Sequence, residues 1–255
     1  MLKALIFDVD GTLADTERFG HRVAFNAAFA AAGLAVEWDE ALYGRLLAIT
    51  GGKERLAHFF THVRPDLRPP GDLERVVQDL HARKTEIYTR LLDAEGVPLR
   101  PGVRRLLLEA RAQGLALAIA TTTSPENLQP IWKALGAGSE GWFRALAAGD
   151  CVAAKKPAPD IYERALDDLG LEASECLAFE DSAIGCRAAR AAGLATIVTV
   201  TDYTRTQAFP GALLVVDHLG EPDRPLERLA GAPFAGRLLD VAALRALFDT
   251  VTRGT

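Results

Sequence analysis

The sequence predicts an α/β fold: a parallel sheet with an all-helical domain inserted after its first strand. Two observations predict the sheet. Short apolar runs bounded by turn residues recur along the chain, as in the buried strands of parallel sheets. Segments of helical spacing alternate with these runs, which indicates right-handed crossovers. A third observation predicts the insertion, because residues 16–96 show helical patterns only. We therefore expect a core from residues 1–15 and 97–255 and a helical cap domain from residues 16–96.

The first strand and the helical domain occupy the amino-terminal part of the chain. Residues 4–7 are an apolar run, and residues from Val23 to Phe29 recur at near-helical spacing before a stop at Gly33. Further helical segments flank a loop rich in Pro and Gly at 64–71. These helical segments are 39–47, 54–62 and 73–92. We expect the junctions with the core at 13–16 and 96–100.

The alternation of strands and helices resumes after residue 101. Ser124 and Pro125 predict a helix start, since Ser is a preferred N-cap and Pro suits the first helical turn. The Pro- and Gly-rich segment 221–236 is interpreted as a loop. The predicted strands are 115–120, 144–148, 176–179, 196–200 and a last one at 213–216. The predicted helices are 102–113, 125–135, one that begins at Asp160, 183–192 and a closing helix at 241–251.

The composition is that of an ordinary globular protein. Hydrophobic residues make up 49% and charged residues 25%, so the chain can bury a sizeable core. The net charge of −5 argues against a nucleic-acid binder, although a local cluster of cations can still bind an anionic substrate. There is no apolar run of ~18 residues, so we expect no membrane-spanning helix.

The cysteines and the amino-terminal segment bear on the compartment. Cys151, Cys176 and Cys186 are odd in number and scattered, which fits neither a disulfide framework nor a zinc site. No basic-then-apolar leader precedes the first strand. We expect a reducing compartment, either the bacterial cytosol or the plastid stroma, and the sequence does not distinguish the two.

Two carboxylates follow the first strand. Asp8 and Asp10 are two residues apart, so in an extended chain they face the same side. Ligands bind at the carboxyl ends of strands in open α/β sheets. Two carboxylates this close repel each other unless a cation lies between them. We interpret the pair as half of a Mg²⁺ site that also holds a nucleophile. The alternative is a turn with two solvated aspartates.

Polar residues also mark three further positions at the same predicted edge. Thr121 ends a strand, Lys156 lies in a loop before a helix, and Glu180 and Asp181 follow another strand. Taken singly, each has a structural alternative: a helix cap, a solvated lysine, an N-cap. Their occurrence in order along one sheet favours a joint site. Carboxylate oxygens from two strand ends suit Mg²⁺, which takes few protein ligands.

A mechanism follows from these residue types. Asp8 would attack phosphorus and form an aspartyl-phosphate. Asp10 would protonate the leaving sugar oxygen and then activate water. Mg²⁺ and Lys156 would neutralise the transferring group, while Thr121, with Thr122, would donate hydrogen bonds to the phosphate oxygens.

These segments resemble the motifs of the haloacid dehalogenase-like (HAD) hydrolases. Residues 7–13 resemble the first motif, D-x-D-G-T; Thr121 matches the second, Lys156 the third, and Glu180 with Asp181 the fourth. The resemblance implies a Rossmann-like core with a C1-type helical cap. It also implies Asp8 as nucleophile, Asp10 as acid and base, and Mg²⁺ held by Asp8, the Asp10 carbonyl and Asp181. Glu180 would be a direct or water-mediated ligand.

Four segments are similar to the CbbY-type phosphatases, namely 50–55, 120–124, 155–157 and 203–205. That group removes a phosphate from xylulose-1,5-bisphosphate, an inhibitor of Rubisco, and gives xylulose 5-phosphate. The resemblance implies a Mg²⁺-dependent sugar-bisphosphate phosphatase. Its partner would be a small sugar phosphate, with no nucleic acid or membrane involved, and we expect a monomer.

The helical domain offers candidate substrate contacts. Gly51 and Gly52 permit close approach of the backbone to a ligand. Lys53 and Arg55 could hold a second phosphate, with a solvated helix start as the alternative. The remaining candidates are Glu17 and His21, which are four residues apart and so share a helix face, together with Lys84, Thr122 and Thr123. Other members of the family have one residue fewer between the acidic position and the histidine.

Three other functions remain open at this point. A phosphosugar mutase resembling beta-phosphoglucomutase would use the same residues but return the phosphoryl group to the sugar. A broad sugar-monophosphate phosphatase would lack the second phosphate contact. A phospho-accepting signalling domain also uses Asp and Mg²⁺ on a parallel sheet, but it needs no acid for a leaving alcohol, and Asp10 argues against it.

Overall fold

The computed structural model describes residues 1–252, and it confirms the predicted α/β class. The last three residues of the predicted core, 253–255, lie outside the described residues. Seven strands form one sheet in the described part of the chain. They are β1 Ala4–Phe7, β2 Ala116–Thr121, β3 Phe143–Ala148, β4 Cys176–Glu180, β5 Ala195–Thr199, β6 Leu214–Val216 and β7 Arg228–Gly231. The spatial order is β3-β2-β1-β4-β5-β6-β7.

The central position of β1 gathers the chemistry at one edge of the sheet. β1 pairs in parallel with β2 on one side and β4 on the other, and Phe7 lies opposite Ile119 and Phe179. The strands therefore end at the same level. Asp8 follows β1, while Thr121 and Glu180 are the last residues of β2 and β4.

β7 corrects the interpretation of 221–236 as a loop, and β6 is not the last strand. β7 pairs antiparallel with β6 at the edge of an otherwise parallel sheet. Its four residues are exposed or half-buried, so the apolar run that marks a buried strand is missing. The Arg228 guanidinium donates to the carbonyl oxygens of Gly231 and Ala232, which closes the end of the strand.

The helices follow the predicted alternation. Asp39 and Asp72 cap two of them by accepting hydrogen bonds from Leu42 and Arg75 backbone N–H groups. The α-helices described in residues 1–252 are α1 Arg22–Ala31, α2 Glu40–Leu46, α3 Gly52–His58, α4 Leu73–Glu95, α5 Val103–Ala112, α6 Gln129–Leu135, α7 Asp160–Leu169, α8 Ala183–Ala191 and α9 Val241–Thr252. Before α6, Pro125–Leu128 forms a 3₁₀ turn, and Ser124 precedes it without a side-chain cap.

Residues 16–96, which we name the helical segment, contain α1 to α4 between β1 and β2. This segment has a buried aromatic cluster of its own, centred on Phe25, Trp38 and Phe59. Two further clusters cover the two faces of the sheet. The chain enters and leaves the segment side by side, since Ala14 bridges antiparallel to Leu99. In the described part of the chain, no helix combines the length and the hydropathy required to span a bilayer.

Candidate active site

A cavity of about 440 Å³ lies at the carboxyl edge of the sheet, with the helical segment as its other wall. It brings together nearly all of the predicted site residues. These are Asp8, Asp10, Glu17, His21, Gly51, Gly52, Arg55, Lys84, Thr121, Thr122, Thr123, Lys156, Glu180 and Asp181. Lys53 is the predicted residue that does not line it.

Asp8 and Lys156 form an ion pair at the sheet side of the cavity. The Lys156 ammonium donates to Asp8 Oδ1 at 2.7 Å and to the Ala120 carbonyl at 3.0 Å. Burial raises the pKa of Asp8 to about 8, although Lys156 acts in the opposite direction. Burial also disfavours charge on Lys156, but the Asp8 and Glu180 carboxylates outweigh it and raise the pKa of the lysine. The pair therefore places a fixed positive charge beside Asp8, and this charge favours the ionised, nucleophilic form of Asp8 against the effect of burial.

Glu180 holds Lys156 in position. Its Oε1 accepts hydrogen bonds from the Lys156 ammonium at 2.6 Å and from the Tyr162 hydroxyl at 2.5 Å. Tyr162 reaches this point from α7, and its ring also lies 5.0 Å from the Lys156 ammonium. The carboxylate of Glu180 thus serves chiefly to orient the cation that contacts Asp8.

Three buried carboxylates form a cluster suited to a cation. Asp8, Glu180 and Asp181 each offer an oxygen within 4.8 Å of the others. Within residues 1–252, no side-chain or backbone donor makes a hydrogen bond to the Asp181 carboxylate. Burial raises the pKa of Asp181 well above its usual value, and the Asp8 and Glu180 carboxylates add to that effect. Asp10 is not part of this cluster.

Asp10 is held by three donors on its side chain. The His21 Nε2 lies 2.8 Å from Asp10 Oδ1, the Thr16 hydroxyl donates to the same oxygen, and the Thr123 hydroxyl donates to Oδ2. Burial alone would raise the pKa of Asp10. The charge and hydrogen bond of His21, with the two hydroxyls, outweigh burial and lower the pKa below its usual value.

A chain of contacts leads from Asp10 into the helical segment. The second ring nitrogen of His21, Nδ1, lies 2.5 Å from the Lys84 ammonium. The His21 ring stacks on Tyr88 at 4.1 Å between centroids. Burial lowers the pKa of Lys84 to about 7, although the Asp10 and Glu17 carboxylates oppose this. Lys84 can therefore exchange a proton near neutral pH.

A π-helical turn spans the segment from Glu17 to His21. Residues Glu17–His21 adopt this conformation, and the Arg22 N–H donates to the Glu17 carbonyl five residues earlier. The wider turn keeps both side chains on the cavity. Gly20 makes it possible, because a Cβ there would lie 2.8 Å from the Tyr88 ring.

The residues after β2 form a hydroxyl-lined corner. Thr121 is buried, and its Oγ1 accepts a hydrogen bond from the Thr123 backbone N–H at 3.2 Å. Thr122 and Thr123 line the cavity beside it. This arrangement leaves the Thr121 hydroxyl hydrogen free to donate to a ligand, and it ties the corner to Asp10 through Thr123.

The helical segment contributes a linked polar wall. The Tyr43 hydroxyl donates to Glu17 Oε2 at 2.5 Å and accepts from the Arg55 guanidinium at 3.1 Å. Arg55 also donates to the Leu46 carbonyl at 3.2 Å. Gly52 packs so closely that a Cβ would lie 2.6 Å from His81 Nε2, and the φ of +88° at Gly51 favours glycine.

Lys53 lies outside this wall. Its ammonium pairs with Asp150 Oδ2 at 2.5 Å, and its side chain is 39% exposed. Asp150 follows β3 and also binds Lys155 at 2.6 Å. Lys53 therefore joins α3 to the sheet side of the molecule, and the predicted contact of Lys53 with a distal phosphate would require its release from Asp150.

Several residues at the site were not identified from the sequence. The sequence did not indicate that Tyr162 belongs to the site, because a tyrosine on the apolar face of a helix is equally well explained by packing in the core. Thr16 lay in a segment that we interpreted as a junction. The others line the cavity: Arg45, His81, Asn127 and Arg187. Their spacing follows ordinary helical patterns, so only the three-dimensional arrangement reveals them.

Comparison with known proteins assigns the chain to a family. A family model for haloacid dehalogenase-like hydrolases matches residues 2–193. The chain belongs to the haloacid dehalogenase-like hydrolases. The predicted family and the predicted enzyme class, a phosphoric monoester hydrolase, are confirmed.

This hydrolase is similar to CbbY proteins along most of its length. It is 52% identical over 247 residues to protein CbbY (plasmid) of Cupriavidus necator, which covers 96% of each chain. The crystal structure of CbbY from Rhodobacter sphaeroides in complex with phosphate has a TM-score of 0.79 at 44% identity, and covers 86% of this chain and 95% of that one. A mutant of the same protein in complex with xylulose-1,5-bisphosphate has a TM-score of 0.78, with the same identity and coverage. The hydrolase is thus a phosphatase of the CbbY type.

Proposed function

We propose that this phosphatase is Mg²⁺-dependent and hydrolyses xylulose-1,5-bisphosphate to xylulose 5-phosphate and phosphate. The observation that carries the proposal is the pairing of two differently held aspartates in one cavity: Asp8 contacts a buried ammonium, whereas Asp10 contacts His21. This difference supports Asp8 as the group that attacks phosphorus and Asp10 as the group that moves a proton. The complex of the 44% identical CbbY with xylulose-1,5-bisphosphate supports the choice of substrate.

The acidic cluster fits Mg²⁺. Its donors are hard carboxylate oxygens, and the Asp181 carboxylate has no hydrogen-bond donor among residues 1–252, as expected of an oxygen that awaits a cation. Asp8, Asp181 and the Asp10 carbonyl would hold the ion directly. Glu180 is engaged by Lys156 and Tyr162, so it would reach the ion through water. When bound, Mg²⁺ neutralises charge on the transferring phosphoryl group.

The first step transfers the phosphoryl group to the protein. An Asp8 oxygen forms a bond to phosphorus while the bond from phosphorus to the sugar oxygen breaks. Lys156 and the Thr121 hydroxyl stabilise the charge on the phosphoryl oxygens. Asp10 delivers a proton to the sugar oxygen. Because the ionised form of Asp10 is favoured at rest, this proton enters through the His21 contact, with Lys84 behind it.

The second step releases phosphate. Asp10 is again a carboxylate and takes a proton from water, whose oxygen bonds to the phosphorus of the aspartyl-phosphate. The bond between phosphorus and Asp8 breaks, and Asp8 is regenerated. The proton on Asp10 can return to His21, which restores both residues to their starting states for another turnover.

We assign residues 16–96 the role of a cap domain and residues 1–15 with 97–255 that of the core. The cap supplies Glu17, His21 and Arg55 to the cavity, groups suited to sugar hydroxyls and phosphate. We propose a small diffusible sugar phosphate as the substrate and a monomer as the active form. The expected compartment is the bacterial cytosol or the plastid stroma.

A substrate panel tests the proposal. Xylulose-1,5-bisphosphate, ribulose-1,5-bisphosphate and hexose monophosphates are supplied with and without Mg²⁺, and free phosphate and sugar products are measured. We expect Mg²⁺-dependent release of phosphate, fastest from xylulose-1,5-bisphosphate. Equal turnover of all substrates would instead indicate the broad monophosphatase. Isomerised sugar phosphate without free phosphate would indicate the mutase.

A further inference from the structure

Two of the cations that line the cavity have no partner among residues 1–252. Lys156 is bound to Asp8, Lys84 to His21, and Arg55 to Tyr43. Arg45 and Arg187 also line the cavity, but within residues 1–252 neither guanidinium makes a hydrogen bond, an ion pair or a ring contact. Both side chains are exposed and so remain hydrated and available. Their binding capacity is unused by the protein.

The two arginines stand on opposite walls. Arg45 is in the last turn of α2 in the helical segment, and Arg187 is on α8, which follows the acidic residues of β4. The walls meet at the loop after β5. Gly44, next to Arg45, packs on the Tyr203 ring of that loop, while Gln207 of the same loop accepts a hydrogen bond from the Ala183 N–H at the start of α8.

Guanidinium groups are the side chains best suited to phosphate. Each presents parallel donors that match two phosphate oxygens. The reacting phosphate belongs near Asp8, where Lys156 and the Thr121 corner supply its donors. The other expected phosphate contact, Lys53, is engaged by Asp150. Arg45 and Arg187 are therefore the unpaired cations that remain to bind a second phosphate.

We propose that Arg45 and Arg187 form the site for the non-reacting phosphate of the substrate. This inference rests on the proposed function and adds the residues that select a bisphosphate. The phosphate would bridge the helical segment and the core, so that its binding also draws the two walls together. A sugar monophosphate with its phosphate at Asp8 provides no such bridge, and the pair thus discriminates between the two substrate classes.

Binding and turnover of matched variants test the inference. R45Q, R187Q and the double variant are compared with R75Q and R144Q, which remove exposed arginines that do not line the cavity. In an Asp8→Asn background, calorimetry measures the dissociation constants of xylulose-1,5-bisphosphate and of xylulose 1-phosphate, a monophosphate that carries the reacting phosphate and lacks the other one. Each cavity variant should weaken bisphosphate binding by about ten-fold to a hundred-fold, a loss typical of a charged hydrogen bond, with a smaller effect on the monophosphate. The two controls should behave as their parent.

Steady-state kinetics with native Asp8 separates this inference from the proposed function. The ratio of kcat/KM for the bisphosphate to that for the monophosphate should fall in R45Q and R187Q and stay constant in R75Q and R144Q. Cavity variants that match the controls in both assays would overturn the inference and leave the proposed function standing. Arginine-dependent binding of the bisphosphate without its hydrolysis by the native enzyme would overturn the proposed function alone.

Discussion

Asp8, Asp10 and Asp181 carry the same carboxylate, yet their surroundings give them different proton affinities. Burial raises the pKa of Asp8 and Asp181, which lie among other carboxylates. Asp10 is as buried, but His21 and two hydroxyls lower its pKa. The sequence predicts which residues carry the chemistry from their types and order. The hydrogen bonds that separate their roles depend on Thr16 and His21 from one segment and on Thr123 from another that is distant in sequence.

Replacing Asp10 tests the division of labour between the two aspartates. In Asp10→Asn the amide cannot give or take the proton, so phosphate release should fall by about a hundred-fold to ten-thousand-fold. The nucleophile remains, but the first step also loses its acid, so little phosphorylated protein should form and intact-mass spectrometry after acid quench should find mainly unmodified protein. The exposed Asp93→Asn variant serves as the control. Normal turnover of Asp10→Asn would contradict the assignment.

Lys84 predicts a pH dependence of stability. Its pKa is about 7 in the folded protein and near 10.5 when unfolded, because burial disfavours its charge. Between these values the unfolded chain binds more protons, so the Lys84 contribution to the free energy of unfolding rises with pH, by at most about 1.4 kcal/mol per pH unit. The charged and titratable groups that face Lys84 stay the same when Lys84 itself is replaced. These groups are Asp10, Glu17, Arg55, His21 and His81.

The comparison is between Lys84→Met and the native protein in denaturant titrations. The free energy of unfolding of the variant relative to native should be highest near about pH 6 and should decline toward about pH 10, where Lys84 is neutral in both states. Lys133→Met, at an exposed position, should show no such trend. A difference between Lys84→Met and native that is independent of pH would show that Lys84 keeps its charge when buried.

The elements around the site were predictable where hydrophobic pattern decides the structure. β1 and β4 are buried along their whole length, and β2 along all but its first residue, so their apolar runs predict them. β7 was missed because an exposed edge strand of four residues has no such run. The π-helical turn was also beyond prediction, since its cause is tertiary: His21 must reach both Asp10 and the Tyr88 ring.

The packing of α8 on Glu180 yields a prediction at this scale. Gly185 lies in the first turn of α8, and a Cβ there would overlap the Glu180 carboxylate. Ala normally favours a helix over Gly, by about 1 kcal/mol. Gly185→Ala should nevertheless lower kcat, because it displaces Glu180 and with it the Lys156 ammonium. Phosphatase assays and far-UV circular dichroism would show lost activity with helices retained.

Gly141→Ala is the matched control, since a Cβ there meets no atom within 4 Å. It should retain the native kcat. Equal activity of Gly185→Ala and Gly141→Ala would show that the position of Glu180 does not matter for turnover.

On the scale of the whole molecule, polar contacts fasten the helical segment to the sheet. Lys53 pairs with Asp150, the Thr50 hydroxyl donates to the Lys156 carbonyl at 2.6 Å, and Arg18 reaches Asp202 at 3.1 Å. These contacts hold the helical segment against the sheet, and we expect substrate entry to require their release. None could be predicted from sequence, because partners such as Lys53 and Asp150 lie 97 positions apart.

A crosslink between the two parts tests whether opening gates the reaction. Cysteines at 53 and 150, in a background where the exposed Cys151 is replaced by Ser, would join the helical segment to the sheet side. We expect the oxidised protein to lose most of its turnover and the reduced protein to regain it, as for lids that must open. The single Lys53→Cys variant controls for loss of the ion pair. Full activity in the crosslinked form would rule out gating by this motion.

The central claim is that Asp8 accepts the phosphoryl group beside a magnesium ion held with Asp181. A crystal structure grown with Mg²⁺ and beryllium fluoride tests it most directly. The account predicts a fluoride adduct bonded to Asp8, contacted by Lys156 and the Thr121 hydroxyl, with the metal against Asp8 and Asp181. Under saturating Mg²⁺ and beryllium fluoride, an unmodified Asp8 with no metal beside Asp181 would contradict it.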